Sequence, residues 1–198
     1  IQLVMSILAL SSLLAYQHMF NVMSIMLTLL PKTTLGYVSY SVVNHCISML
    51  IMLPTAFCAG MTLPLITFLL LKSKQHEKII GTTYASNTAG CIIGVLLAVH
   101  VIMPLLGVKY VILIGALVDT LIGASLLYTF YTHQQLNKHD IITCRSTRLL
   151  LVINIALMTL LALFYSINPH TTTSGVFRNT HARMDKSHLI LNYHDGKT

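Results

Sequence analysis

The chain has 198 residues, of which 55% are hydrophobic and only 9% are charged, and its formal net charge is +7. Charged side chains are too few to cover the surface of a soluble globule of this size, so composition excludes an ordinary water-soluble domain. The twelve lysines and arginines are scattered between apolar segments and form no basic stripe with aromatic residues, which argues against nucleic-acid binding. We therefore expect an integral membrane protein whose main partner is the lipid bilayer.

The first half of the chain contains two long apolar segments. A helix needs about 20 apolar residues to cross a hydrocarbon layer of about 30 Å. Residues 1–17 form one such segment, which starts inside an apolar run at Ile1, so we expect further sequence before it. Residues 22–30 are either interfacial or an extension of this first helix. Residues 37–71 would span roughly 50 Å as one straight helix, so they must tilt, kink or break.

Proline supplies a means of bending the second segment. Pro54 and Pro64 lie within it, and each removes a backbone donor and crowds the preceding helical turn. Broken helices line the binding sites of transporters, whereas kinked helices with a purely structural role are common. Both interpretations stay open at this point.

The second half of the chain predicts three more spans. Residues 84–106 and 108–131 are joined by a turn around Gly107, which indicates an antiparallel hairpin. A polar loop over 132–148 precedes the fifth span at 149–167. The sequence thus predicts an all-α, polytopic transmembrane bundle of about five spans in residues 1–167.

The loops do not assign an orientation to this bundle. Loops 72–83 and 132–148 fall on one face and carry six lysines and arginines, while the opposite face, with the near part of the tail, carries five. A difference of one cation is too small for the positive-inside rule to decide.

Small residues recur at every fourth position of the third span. They are Ser86, Gly90, Gly94 and Ala98, which lie on one face of a helix. In lipid, such a stripe allows two helix backbones to approach closely and gain dispersion contacts. We predict a helix-packing seam, and the alternative is a substrate groove floored by glycine.

A cluster of polar residues opens the same span. It consists of Tyr84, Ser86, Asn87 and Thr88. Short polar side chains at a helix N-terminus can accept hydrogen bonds from unpaired N–H groups, and tyrosine anchors at headgroup level. The cluster therefore predicts that a helix begins here.

Asp119 is the only acidic residue inside an apolar span, and it lies between Gly115 and Gly123. Ionisable groups are costly at this depth and suggest a proton relay or a ligand contact. His100, on the preceding span, is its candidate partner, and with Asn87 they form a candidate intramembrane polar site. A hydrogen-bonded structural aspartate facing the small-residue seam explains the pattern equally well.

Motifs for catalysis or cofactor binding are not found in the sequence. The ten histidines show no recognised ligand spacing, the four cysteines form no CxxC pair, and there is no GxGxxG, P-loop or GxSxG motif. We predict no catalytic, cofactor-binding or metal-binding residue in this chain.

The last 31 residues, 168–198, lose the apolar pattern and predict a linker followed by the start of a soluble domain. The stretch LILNYHDGKT combines strand-favouring residues with Asp-Gly, a strong hairpin signal. Because half a hairpin cannot be stable alone, we expect this first β-strand to belong to a C-terminal soluble domain that continues beyond Thr198.

Several motifs together resemble a known family. LPTAFCAGMTLPLI and GTTYASNTAGCIIGVLLAVHVIMPLLG are similar to the membrane half of bacterial proteins in which a module like the major facilitator superfamily is fused to a spermidine-synthase-like domain. SGVFR at 174–178 and LNYHDGKT at 191–198 resemble the turn into the soluble half. The resemblance covers about 53–131 and 174–198, and Asn87, Gly90 and Gly94 match its membrane motif best.

This resemblance implies a location in the bacterial inner membrane and a parent protein that is an aminopropyltransferase. Such a parent transfers an aminopropyl group from decarboxylated S-adenosylmethionine, its co-substrate, to putrescine or a related amine. The resemblance places its nucleotide loop and acidic amine-binding residues beyond Thr198. The chain itself would anchor that synthase-like domain. The alternatives are a stand-alone transporter of the major facilitator type, with Asp119 lining a path for a cation, and a structural membrane subunit.

Overall fold

A computed structural model describes residues 1–31, 33–72, 78–133 and 138–167. Every regular element in these ranges is helical. The predicted strand in LILNYHDGKT, the SGVFR element and the predicted linker at 168–198 lie outside the described residues. The all-α prediction is therefore confirmed for the described part of the chain, and the strand stays a prediction.

Six α-helices and one π-helical segment are present in the described ranges. In chain order they are α1 (Gln2–Leu29), α2 (Thr34–Lys72), α3 (Lys78–Leu97), the π-helical segment Ala98–Ile102, α4 (Met103–Leu106), α5 (Val108–His133) and α6 (Lys138–Phe164).

Four of the helical stretches are long and apolar enough to cross a membrane. They are Thr34–Lys72, Lys78–Leu106, Val108–Thr129 and Arg145–Phe164. A fifth span results if the two bent halves of α1 are taken as one. Within the described residues, four to five apolar helices thus meet the length that a hydrocarbon layer requires.

The first helix continues through the polar interruption at residues 17 and 18. Its two halves, Gln2–Tyr16 and His18–Leu29, meet at an angle of 45°. The Tyr16 and Phe20 rings pack edge to face across this bend, with centroids 5.4 Å apart. Of the two interpretations of residues 22–30, the structure favours the extension of α1.

The second helix is unbroken over 39 residues, although it contains Pro54 and Pro64. At about 1.5 Å per residue its length is roughly 58 Å, about twice the hydrocarbon thickness. A break at either proline is excluded. Of the predicted alternatives, tilt and a kink stay open, and helical ends that extend beyond the hydrocarbon would also accommodate the excess length.

The predicted helix start at the Tyr84–Thr88 cluster is wrong, and the helices that contain the third and fifth spans begin before the predicted spans. Helix α3 begins at Lys78, so the cluster from Tyr84 to Thr88 lies inside the helix and not at its N-terminus. The Thr88 hydroxyl donates to the Tyr84 carbonyl at 2.9 Å, which satisfies it within its own helix. Helix α6 likewise begins at Lys138, inside the polar stretch predicted as a loop, and ends at Phe164.

The predicted turn at Gly107 is confirmed. Its φ of 85° and ψ of 171° lie in a region that is essentially restricted to glycine. The π-helical segment precedes Pro104, which lacks the N–H that a continuous α-helix would direct to His100. Together they connect α3, α4 and α5, and the contacts with α5 come from α4 and the π-helical segment. The antiparallel packing of the whole third and fourth spans stays a prediction.

The core lies where α1, α5 and α6 meet. Its buried apolar residues are Leu10, Leu13, Leu113, Ala116 and Leu161. Helix α2 packs against α1, and α3 packs against α2. The apolar window of α3 has no buried residue, so this helix lies at the edge of the bundle.

Candidate functional site

The predicted small-residue seam lies on the exposed surface of α3. Ser86, Gly90 and Gly94 are exposed, and Ala98 is half-buried. A Cβ atom added at Gly90 or at Gly94 would meet no atom within 4 Å. No described helix therefore packs on the two glycines, and the packing seam stays a prediction.

Two residues of this region line an open cleft between α2 and α3. Ser86 and Asn87 face Thr62, Thr82 and Thr83 across a cavity of about 410 Å³. The three threonine hydroxyls donate to carbonyls of their own helices, at 2.7 to 3.3 Å. Their lone pairs remain available, so the cleft presents hydrogen-bond acceptors together with the Asn87 amide.

The other members of the candidate polar site lie apart from this cleft. Asp119 is half-buried on α5 and His100 is exposed on the π-helical segment, and neither lines the cleft that holds Asn87. Among the described residues, no hydrogen bond or ion pair connects Asp119 with His100. The pairing of these two side chains stays a prediction.

A buried polar cluster, which sequence reasoning missed, joins the three core helices. We call it the polar node, and it consists of Ser6 on α1, Thr120 on α5 and Asn154 on α6. Ser6 and Asn154 have no exposed surface and Thr120 is 5% exposed. Side chains from three helices therefore meet at one point in the centre of the bundle.

The number of hydroxyl and amide protons limits which hydrogen bonds the polar node can form at one time. Thr120 Oγ1 lies 2.6 Å from the Ala116 carbonyl and can only donate to it. Ser6 has one hydroxyl proton, and three acceptors lie within its reach: the Ala116 carbonyl at 2.9 Å, Asn154 Oδ1 at 3.1 Å and Thr120 Oγ1 at 3.2 Å. Asn154 Nδ2 donates to the Leu3 carbonyl at 3.2 Å, which fixes the amide orientation because a carbonyl only accepts.

A weak signal for the node is present in the sequence. Asn154 is a lone amide in the apolar run LLLVINIALMTLLALF, and such residues in spans often hydrogen-bond between helices. Ser6 and Thr120 carry no such signal, because serine and threonine hydroxyls commonly bond their own helix, as Thr159 does with the Ile155 carbonyl. The partners of Asn154 could not be read from the sequence.

Two further contacts hold the C-terminal end of α6. The Tyr165 hydroxyl donates to the Leu13 carbonyl at 2.6 Å, and Lys109 Nζ donates to the Ala162 carbonyl at 2.9 Å. Lys109 thus satisfies a carbonyl in the last turn of α6, where backbone carbonyls lack partners within the helix.

The described residues offer little for metal or thiol chemistry. Within the described ranges, no group of three or more His, Cys, Asp or Glu side chains could hold a metal ion. Cys46, Cys58 and Cys91 are free thiols.

Comparisons with protein-family models, with curated proteins and with solved structures found no match to this chain.

Proposed function

We propose that this chain is the membrane-embedded module of a spermidine-synthase-like protein and that it anchors the synthase-like domain at the membrane. The proposal rests on the resemblance of the motifs in residues 53–131 and 174–198. It is supported by the four to five apolar helices of the described chain, which provide the membrane half that such a protein requires.

The close packing of side chains in the core is the observation that favours an anchoring role over a transport role. Leu10, Leu13 and Leu161 are at most 1% exposed where the three helices meet, and the polar node beside them is closed by internal hydrogen bonds. Among the described residues, the buried cluster of this core consists of leucine and alanine side chains, a packed apolar arrangement that suits a rigid support.

The parent activity follows from the resemblance. In the proposed protein, decarboxylated S-adenosylmethionine donates an aminopropyl group to the amine of putrescine or of a related substrate. The residues that perform this transfer belong to the synthase-like domain and not to the helices. The membrane module then determines where the product is released.

A test uses the complete native gene product in isolated membranes. We expect it to sediment with the membranes and to transfer an aminopropyl group to putrescine. A form that lacks residues 1–167 should keep the activity and appear in the soluble fraction. A gene product that continues past residue 198 into further apolar spans, or that shows no transferase activity, would contradict the proposal.

Transport is a second candidate function, and Asp119 is the observation that favours it. Its carboxyl group lies half-buried in an apolar helix and has no hydrogen bond or ion pair among the described residues. An acidic group in such a position can bind a proton or a cationic solute. Asp119 directly precedes Thr120 of the polar node but is not a member of it.

Replacing Asp119 with asparagine tests this second function. We expect Asp119→Asn to abolish proton-coupled or polyamine uptake into vesicles, because asparagine keeps the size of the side chain and loses its charge. Asp119→Glu should retain uptake, and Ser125→Ala, at an exposed site on the same helix, should have no effect. Unchanged uptake in Asp119→Asn would remove Asp119 from any transport mechanism.

A further inference from the structure

A large apolar cavity opens between four helices at one end of the bundle. Its volume is about 580 Å³, within the range of roughly 300 to 1,000 Å³ that is typical of ligand sites. Its apolar lining includes Leu3 of α1, Leu65 and Leu69 of α2, Leu126 of α5 and Leu150 of α6. An empty space lined by leucine side chains loses dispersion contacts. In a bilayer, the acyl chain of a neighbouring lipid can fill this space.

The cavity lies at the end of the bundle where α1 and α6 begin and where α2 and α5 end. Its lining comes from the first residues of α1, the last three turns of α2, the second half of α5 and the start of the apolar part of α6. All four positions are at the same end of these helices. The cavity therefore opens near a headgroup layer and not at the bilayer centre.

This end of the bundle is basic. Among the described residues, four exposed cationic side chains lie near this end of the bundle: Lys72, Lys78, Arg145 and Arg148. Lys72 is exposed and follows Leu65 and Leu69 by seven and three residues, which places it on the cavity face of α2. A cation at the mouth of an apolar cavity complements an anionic headgroup attached to an acyl chain.

One polar atom in the cavity lining has no partner. The Gln2 Oε1 atom is buried, and no donor among the described residues reaches it. Buried acceptors of this kind are ordinarily satisfied. A molecule that occupies the cavity and carries a hydroxyl near its headgroup would supply the hydrogen bond.

We propose that this cavity binds one acyl chain of an anionic, hydroxyl-bearing phospholipid of the phosphatidylglycerol type. The phosphate lies at Lys72 and a headgroup hydroxyl donates to Gln2 Oε1. Apolar contact alone gives no preference among lipids, because every lipid tail is equally apolar. The selectivity therefore comes from the headgroup, and one surface cation contributes about fivefold. This proposal does not depend on the anchoring function.

The experiment compares lipid retention by native mass spectrometry. The purified chain is titrated with phosphatidylglycerol or with phosphatidylcholine that has identical acyl chains. We expect one retained phosphatidylglycerol and about a fivefold preference for it over phosphatidylcholine. Lys72→Gln should abolish most of this preference and leave phosphatidylcholine binding unchanged.

A matched pair of variants tests the cavity itself. Leu126 lines the cavity and is 61% exposed, whereas Leu121, on the same helix, is 60% exposed and does not line it. Leu126→Trp should fill the cavity and lower retention of phosphatidylglycerol at least tenfold, and Leu121→Trp should leave it unchanged. Far-UV circular dichroism, which measures helical content, checks that both variants fold.

Two results would overturn the proposal. One is equal retention of phosphatidylglycerol by the Leu126→Trp and Leu121→Trp proteins. The other is equal binding of phosphatidylglycerol and phosphatidylcholine by the unaltered chain.

Discussion

Replacing Asn154 with leucine is expected to lower the free energy of unfolding by about 1–2 kcal/mol, the range that model peptides give for hydrogen bonds between membrane helices. Leucine has a similar size, so the main loss is that of two contacts, from Ser6 Oγ at 3.1 Å and to the Leu3 carbonyl at 3.2 Å. Asn154 has no exposed surface, so water cannot replace them. Unfolding in mixed micelles with a rising fraction of dodecyl sulfate measures the change.

The exposed Asn87 provides the control for this substitution. Asn87→Leu exchanges the same side chains on the surface of α3 and should be neutral or slightly stabilising in lipid. A double-mutant cycle of Ser6→Ala with Asn154→Leu should give a coupling of about 0.5–1.7 kcal/mol. Additive effects of the two substitutions would show that the 3.1 Å contact contributes no stability.

The spans could be predicted from the sequence because hydropathy is a local property. The residues before Gly107 and those after it each form an apolar run, so the two spans and the turn between them can be predicted without knowing which helices lie next to them. Helix ends were predicted less well, because hydropathy reports apolar character and not backbone hydrogen bonding. Hydropathy marks where the hydrocarbon ends, whereas α3 and α6 begin earlier, at Lys78 and Lys138, because backbone hydrogen bonds continue into the polar layer.

Contacts between helices could not be predicted, because they depend on which faces meet. The small-residue pattern occurs on α3 and also on α5, and the sequence predicts the packing seam on α3. In the structure, Gly90 and Gly94 of α3 meet no atom within 4 Å, whereas Gly123 of α5 is in close contact with Leu3. The two small-residue patterns look alike in the sequence. Only the packing of α1 on α5 shows which of them contacts another helix.

Leu3 of α1 lies close to Gly123 of α5, so a larger residue at Gly123 is expected to change the free energy of unfolding. A Cβ atom at this position would lie 2.8 Å from Leu3 Cδ2 and 2.9 Å from Leu3 Cγ. Leu3 is only 4% exposed and lines the apolar cavity, so its side chain has to rotate toward that cavity to admit the added carbon atoms. We expect Gly123→Val to lower the free energy of unfolding by about 1–3 kcal/mol through overpacking.

Gly115 is the matched control for this prediction. It lies on the same helix, and a Cβ atom there would meet no atom within 4 Å. Gly115→Val makes the same change in helix propensity, so the difference in unfolding free energy between the two variants isolates the contact with Leu3. Combining Gly123→Val with Leu3→Ala should cost less than the sum of the single changes, because alanine removes both clashing atoms. Equal losses for Gly123→Val and Gly115→Val would mean that α1 does not approach α5 at this glycine.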